Sequence, residues 1–177
     1  MKKLNIDEIL VLKWKGVKVS QIAKMAIEEF NEIYEKEPDE FDRLIDKANN
    51  IFDRQEIFGI VTLSIQDENY PQRLREIGNE APALIHCLGN MDLLKEEKAI
   101  AIIGARAAGK EGLNAAYQLG KKYAEEEYVI VSGLATGCDK AAHEGCLSAG
   151  GKTIAIVGSG LDIIHPIENS ALQRRIL

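Results

Sequence analysis

The stretch AIAIIGARAAG (99–109) determines the fold, together with YVIVSGLATGCD (128–139) and TIAIVGSG (153–160) further along the chain. Each begins with a nearly continuous apolar run, which is typical of parallel strands covered on both faces, and passes into a glycine-containing loop. Amphipathic stretches at 109–126 and 138–149 lie between the three runs and predict two helices. Strands that alternate with helices in this order predict an α/β protein, with a Rossmann-like parallel sheet in a three-layer αβα arrangement.

The sequence before these runs divides into two parts. The runs VTLSI (61–65) and ALIHCL (83–88) predict two more short strands. Residues 1–60 contain few glycines and have apolar residues at helical spacing, which predicts three short helices with breaks near 15–19 and 36–39. We therefore expect a helical N-terminal region at 1–60 and a Rossmann-like domain at 61–177. The segment KGVKVSQIAK (15–24) fits either the turn of a helix-turn-helix or an ordinary turn that serves packing or partner binding.

Composition excludes several classes of protein. The 177 residues are 46% hydrophobic and 28% charged, which is an ordinary globular balance. The net charge of −6 excludes a globally basic surface that coats nucleic acid, although it leaves room for a local basic patch. The three cysteines form no CxxC pair, so we expect buried thiols in a reducing cytoplasm. There is no apolar run of about 18 residues, and the basic start lacks the features of a secretory signal.

The first strand is followed by a loop that contains an arginine. The loop runs from Gly104 to Gly109, and Arg106 stands where a dinucleotide-binding fingerprint has its second glycine. An arginine there fills the space of a pyrophosphate and can itself bind phosphate. Because the loop also opens a helix, it favours an anion.

The second strand is followed by small residues and hydroxyls. Ser132 stands where a nicotinamide dehydrogenase usually carries an acidic residue, which argues against that class. Ser132, Gly133, Thr136 and Gly137 suit a phosphate or sugar contact instead. Asp139 fits a residue that caps or supports the following helix.

The third strand lies between GGKT (150–153) and Gly158-Ser159-Gly160. GGKT lacks the P-loop spacing and precedes a strand, so a nucleoside triphosphatase is not indicated. Lys152 lies at the amino end of its strand and is predicted from geometry alone to be a surface lysine. His143 follows Asp139 by four residues; the pair could be catalytic, but a buried, hydrogen-bonded histidine is favoured because no nucleophile accompanies it.

The ordered set of motifs resembles the DprA/Smf family of DNA-processing proteins from about residue 61 to the end. The resemblance is carried by DENYPQRLREI (67–77), the stretch 82–90 that ends in LGN, IIGARAAG (102–109), SGLATGCDKAAHEGCLSAGGKTIAIVGSGLD (132–162) and HPIENSALQRRI (165–176). It implies a protein that binds single-stranded DNA without cleaving it, protects it, and assists a RecA-type recombinase during DNA uptake and recombination. No catalytic residue, cofactor or metal is implied.

The resemblance also assigns residues to DNA binding. Arg106 would contact a phosphate, and Lys152 would be a second basic contact, against the geometric expectation above. Arg174 and Arg175 are further candidates. The groove would be shaped by Gly104, Gly109, Ser132, Gly133, Thr136, Gly137, Gly158 and Ser159.

Two departures from the family limit what the resemblance implies. Thr136 replaces an arginine that the family usually has, and Cys138 replaces an aliphatic residue. Family members also continue beyond QRRIL (173–177) with the rest of the sheet, to which contact with RecA and formation of a homodimer are largely attributed. These two partners therefore cannot be carried over directly, and the chain is expected to be either a fragment or a natural short form.

Two alternatives to DNA binding remain. The first is binding or processing of a nucleotide by a protein related to the phosphoribohydrolases, although their PGGxGTxxE signature is absent. The second is an interaction module that acts through its helical N-terminus and does not bind DNA.

Overall fold

The computed structural model describes residues 2–177. The chain divides into two compact units, the first ending at Leu88 and the second spanning Gly89–Leu177. The first unit begins with four helices rather than the predicted three: α1 Ile6–Trp14, α2 Val19–Ile22, α3 Ile27–Tyr34 and α4 Pro38–Ile57. The breaks expected near 15–19 and 36–39 are present. The additional break, at 23–26, separates α2 from α3.

Gln66 stabilises the additional break between α2 and α3. Its Nε2 donates to the carbonyl oxygens of Ile22 (2.6 Å) and Met25 (2.9 Å), of which the first also accepts from the Met25 N–H at 3.2 Å. Its Oε1 accepts from the backbone N–H of Leu4 at 3.0 Å. One side chain therefore satisfies three backbone groups around a helix that is only four residues long.

A pair of antiparallel strands completes the first unit. Strands β1 Val61–Ser64 and β2 Leu84–Cys87 pair antiparallel, and α5 Gln72–Glu76 lies between them in sequence. The two strands pack on α1 and α4. The strand pair thus belongs to the same compact unit as the helices. The structure divides the chain at 88/89, whereas the sequence analysis placed the domain boundary at 60/61.

The second unit is built on a parallel sheet, as the sequence predicts, and its strand order is β3-β4-β5. Its elements are β3 Ala99–Ala101, α6 Lys110–Glu125, β4 Val129–Ser132, α7 Cys138–Ser148, β5 Thr153–Ala155 and α8 Ser170–Ile176. Helices α6 and α7 pack together so closely that a Cβ at Gly120 or Gly145 would overlap the backbone of the other helix. No helix among residues 2–177 is long and apolar enough to cross a membrane.

Helices α6 and α7 cover one face of this sheet. Ile102 and Ile130 pack there against Ala116, Ala142 and Cys146. Since side chains alternate along a strand, Ala101 and Ile103 point the other way, and both are exposed. The apolar runs predicted strands covered on both faces. Within residues 2–177, however, one face of the sheet is left partly uncovered.

Candidate nucleic-acid interface

The loops that follow β3, β4 and β5 meet at the carboxyl edge of the parallel sheet. The loop after β3 carries Arg106 between Gly104 and Gly109. Arg106 is exposed, and its guanidinium has no hydrogen bond or ion pair with any residue in the described range 2–177. It is thus a free cation at the edge where parallel α/β sheets bind their ligands.

The loop leads into α6, whose first turn adds to the positive character of this edge. Gly109 is the N-cap residue and has no side chain to accept from the first backbone N–H groups. The N–H groups of this turn and the helix dipole favour an anion. Lys110 is the first residue of α6, is exposed, and forms no ion pair within the part of the chain that the structure describes. Glu111 follows it and partly offsets this charge.

The first two residues of α7 bind the backbone of the Arg106 loop. Asp139 is buried, and its carboxylate accepts from the backbone N–H groups of Gly104 (Oδ1, 3.3 Å) and Gly133 (Oδ2, 3.2 Å). It therefore bridges the loops after β3 and β4. The N–H of Cys138 donates to the carbonyl oxygen of Ala105 at 3.2 Å, which ties the same loop to the helix a second time.

Two glycines make this close approach feasible. A Cβ at Gly104 would lie 2.7 Å from the Cβ of Cys138. Gly137 has φ +84° and ψ −132°, a conformation that is essentially restricted to glycine, and a Cβ there would overlap the carbonyl oxygens of Ala105 and Arg106. Small residues after β4 therefore make room for the Arg106 loop.

The predicted donors after β4 are used inside the protein. The hydroxyl of Ser132 is buried and donates to the carbonyl oxygen of Ile102 at 2.6 Å. The N–H of Gly133 is held by Asp139, as described above. Thr136 is half-buried in the same loop. The Ser132 hydroxyl and the Gly133 N–H are thus engaged in contacts within the protein.

Gly158 and Ser159 follow β5 and thus lie at the same edge as the Arg106 loop. Gly158 is exposed, and a Cβ there would meet nothing within 4 Å. Ser159 is half-buried. The structure therefore leaves this part of the predicted groove open.

Lys152 lies at the other end of the sheet. It directly precedes β5, and its Nζ forms an ion pair with Glu96 Oε1 at 3.0 Å. Since a strand advances about 3.3 Å per residue, the two edges of the sheet are about 10 Å apart even for these short strands. The structure does not bring Lys152 together with Arg106. Arg174 and Arg175 lie in the last turn of α8 and are exposed.

His143 is a buried core residue, as predicted. Thr153 Oγ1 donates to the carbonyl oxygen of Ile130 at 2.7 Å, so its remaining contact, with His143 Nδ1 at 2.7 Å, requires Nδ1 to donate. Nε2 is then a buried acceptor with no partner among residues 2–177. Burial lowers the pKa of His143 to about 4, so the ring is neutral at pH 7. The carboxylate of Asp139 is turned toward the loops, and the pair has no catalytic arrangement.

The thiols of Cys138 and Cys146, near the two ends of α7, are equally internal. Burial raises the pKa of Cys146 to about 11, and its Sγ donates to the carbonyl oxygen of Lys152 at 3.2 Å. Cys138 is buried against Gly104. A thiol with a raised pKa is a poor nucleophile at neutral pH. Within residues 2–177, no group of three or more histidine, cysteine or acidic side chains is placed to hold a metal ion.

The sequence interpretation missed two residues of this site. Lys110 could have been found, because a lysine directly after the N-cap glycine of a predicted helix lies beside the same loop as Arg106. The bridging role of Asp139 had no local signal, since its partner Gly104 is 35 residues away.

A sheet of parallel strands with helical crossovers, and glycine-rich loops gathered at its carboxyl edge, define the second unit as a Rossmann-like protein. The family model for "DNA recombination-mediator protein A" matches residues 61–177. The chain therefore belongs to that family, which contains the DprA and Smf proteins.

Individual relatives agree with this assignment. The chain is 47% identical to the DNA processing protein DprA of Streptococcus pneumoniae over 112 residues, which are 63% of this chain and 39% of that protein. It is 36% identical to DprA of Bacillus subtilis over 114 residues, which are 64% of this chain and 38% of that protein. The matches thus span about two fifths of these curated relatives.

Solved structures extend the similarity. The X-ray structure of DprA from Streptococcus pneumoniae is matched with a TM-score of 0.75 and 36% identity, over 98% of this chain and 65% of that one. A structure of DNA processing protein A from Helicobacter pylori, which concerns its single-stranded DNA binding mode, is matched with a TM-score of 0.55 and 29% identity, over 66% of this chain and 51% of that one. The first of these matches includes the N-terminal helices, which lie outside the family model.

Proposed function

We propose that this protein binds single-stranded DNA at the carboxyl edge of the parallel sheet. The observation that carries the proposal is Arg106, an exposed cation in the loop before α6, with no protein partner among residues 2–177. A guanidinium can form two parallel hydrogen bonds to a phosphate. Lys110 and the N–H groups of the first turn of α6 add to this site, while Gly109 and Gly158, where a Cβ would meet nothing within 4 Å, leave the edge open. The single-stranded DNA binding of the Helicobacter pylori relative supports the same ligand.

The wider role that we infer is protection of single strands and their delivery to a RecA-type recombinase in DNA uptake and recombination. The family's description as a recombination mediator supports this role. We infer that the protein acts by binding and not by catalysis, because His143 and Cys146 are both occupied in internal contacts. A cytoplasmic location agrees with the three free thiols. A homodimer would raise the effective affinity for one DNA strand.

The test is a fluorescence-anisotropy titration of a labelled oligo-dT of about 30 nucleotides, a length that exceeds the site size of most single-strand binding folds. Arg106→Ala is compared with wild type at two salt concentrations. Loss of one charge-assisted contact should weaken binding about tenfold. It should also make the salt slope less negative by about 0.7, the single-strand value for one phosphate contact.

Lys122→Ala is the matched control, because Lys122 is an exposed cation at the other end of the same helix. It should change affinity less than about twofold, as expected for a distant surface charge. The proposal fails if wild type does not bind at low salt, or if Arg106→Ala and Lys122→Ala have equal effects.

A further inference from the structure

Asp139 has a role that a helix cap does not explain. It is the second residue of α7, after Cys138, and the N-cap position belongs to Gly137. Its side chain is 8% exposed, and both carboxylate oxygens are turned away from its own helix toward two loops. One oxygen accepts from Gly104, and the other accepts from Gly133. The carboxylate therefore joins the ends of β3 and β4 behind the Arg106 loop.

The Arg106 loop has few other attachments. The N–H of Gly104 is bound by Asp139, and the carbonyl oxygen of Ala105 accepts from Cys138. The next two residues, Arg106 and Ala107, are exposed, and neither makes a hydrogen bond within residues 2–177. On its N-terminal side, the position of Arg106 thus depends on two hydrogen bonds directly before it, and Asp139 makes one of them; on its C-terminal side, Ala108 packs against the core of the second unit.

We propose that Asp139 is a positioning residue for DNA binding, which holds the Arg106 loop in the conformation that meets the phosphate. This inference rests on the proposed function. An ionised carboxylate can accept from both N–H groups, whereas an asparagine amide presents one oxygen and one NH₂. In Asp139→Asn, one of the two backbone donors therefore faces another donor, and the bridge between the loops is broken with almost no change in side-chain volume.

Asp139→Asn separates positioning from electrostatics, because the two predict opposite signs. Removing a negative charge beside a phosphate site should strengthen DNA binding, and Glu111→Gln in the first turn of α6 serves as the control for that effect. Loss of positioning should weaken binding instead, by about tenfold in the oligo-dT titration. Weaker binding by Asp139→Asn, with unchanged or tighter binding by Glu111→Gln, is the expected result.

A double-mutant cycle with Arg106→Ala shows whether Asp139 acts through that side chain. If it does, Asp139→Asn should change affinity less than about twofold in the Arg106→Ala background. Equal losses in the two backgrounds, or tighter binding by Asp139→Asn, would overturn the inference. In either case a loss caused by Arg106→Ala alone would leave the proposed function standing, whereas absence of binding by wild type would refute that function.

Amide hydrogen exchange on the wild-type chain, without DNA, tests whether Asp139 bridges the two loops. In the wild-type chain, the amides of Gly104 and Gly133 should exchange more slowly than the exposed, unbonded amide of Ala107. Exchange of Gly104 as fast as Ala107 would show that Asp139 does not hold the loop.

Discussion

Gly137→Ala should both destabilise the protein and displace the Arg106 loop. The backbone of Gly137, with φ +84° and ψ −132°, costs an L-residue about 1–3 kcal/mol. The new methyl group would also overlap the carbonyl oxygens of Ala105 and Arg106. Relieving this overlap costs about 1–3 kcal/mol more. The lower entropy of the unfolded alanine chain offsets about 0.4–1 kcal/mol of this.

The net loss in the free energy of unfolding is therefore about 1–6 kcal/mol, with a central value of about 3 kcal/mol. For a compact unit of this size, each kcal/mol lowers the melting temperature by about 4–8 °C, so the central value corresponds to a fall of about 12–24 °C. Thermal unfolding followed by circular dichroism measures it. Oligo-dT affinity, measured below the transition, should fall as well, because the overlap pushes on the carbonyl of Arg106 itself.

Gly158→Ala is the matched control at the same edge of the sheet. A Cβ at Gly158 meets nothing within 4 Å, and its φ lies outside the left-handed range. This variant should keep or slightly raise the melting temperature, by the same unfolded-state entropy of about 0.4–1 kcal/mol. Equal melting temperatures for Gly137→Ala and Gly158→Ala would refute the close approach of α7 to the loop.

Two further predictions concern Lys152 and His143. Lys152→Ala should change oligo-dT affinity less than about twofold, because Lys152 is paired with Glu96 at the far edge of the sheet. A loss of about tenfold in the same titration would instead support the DNA contact that the family resemblance assigns to Lys152. The free energy of unfolding should fall as pH drops from 6.5 to 4, because the unfolded chain binds a proton at His143 below pH 6.5 and the folded chain does so only near its pKa of about 4. His143 accounts for up to about 3 kcal/mol of that fall. Urea unfolding at both pH values should therefore show a smaller fall in the free energy of unfolding for His143→Gln than for wild type. An equal fall in the two proteins would contradict a neutral buried ring.

Local patterns were sufficient to predict the elements of the second unit. Helix α6 was expected at 109–126 and is found at Lys110–Glu125, and α7 was expected at 138–149 and is found at Cys138–Ser148. The three parallel strands lie within their predicted runs. Apolar runs between glycine-rich loops are signals carried by neighbouring residues, so no distant contact was needed to recognise them.

Features that depend on distant partners could not be predicted in this way. The break between α2 and α3 is stabilised by Gln66, which is more than 40 residues from both carbonyl groups that it binds. The ion pair of Lys152 with Glu96 spans 56 residues. Neither contact leaves a periodic pattern in the sequence, and both became visible only when the elements were packed.

In the proposed DNA-binding site, Arg106 and Asp139 together favour a nucleic-acid backbone over an enclosed nucleotide. In dinucleotide-binding sheets, the second glycine of the fingerprint lets a pyrophosphate approach the loop amides. Here the N–H groups of Gly104 and Gly133 already donate to the carboxylate of Asp139, which is itself an anion and repels a phosphate from that position. The remaining attraction comes from the outward-facing Arg106 and from the first turn of α6. A phosphate bound there stays on the surface, where a chain of further nucleotides can continue in both directions.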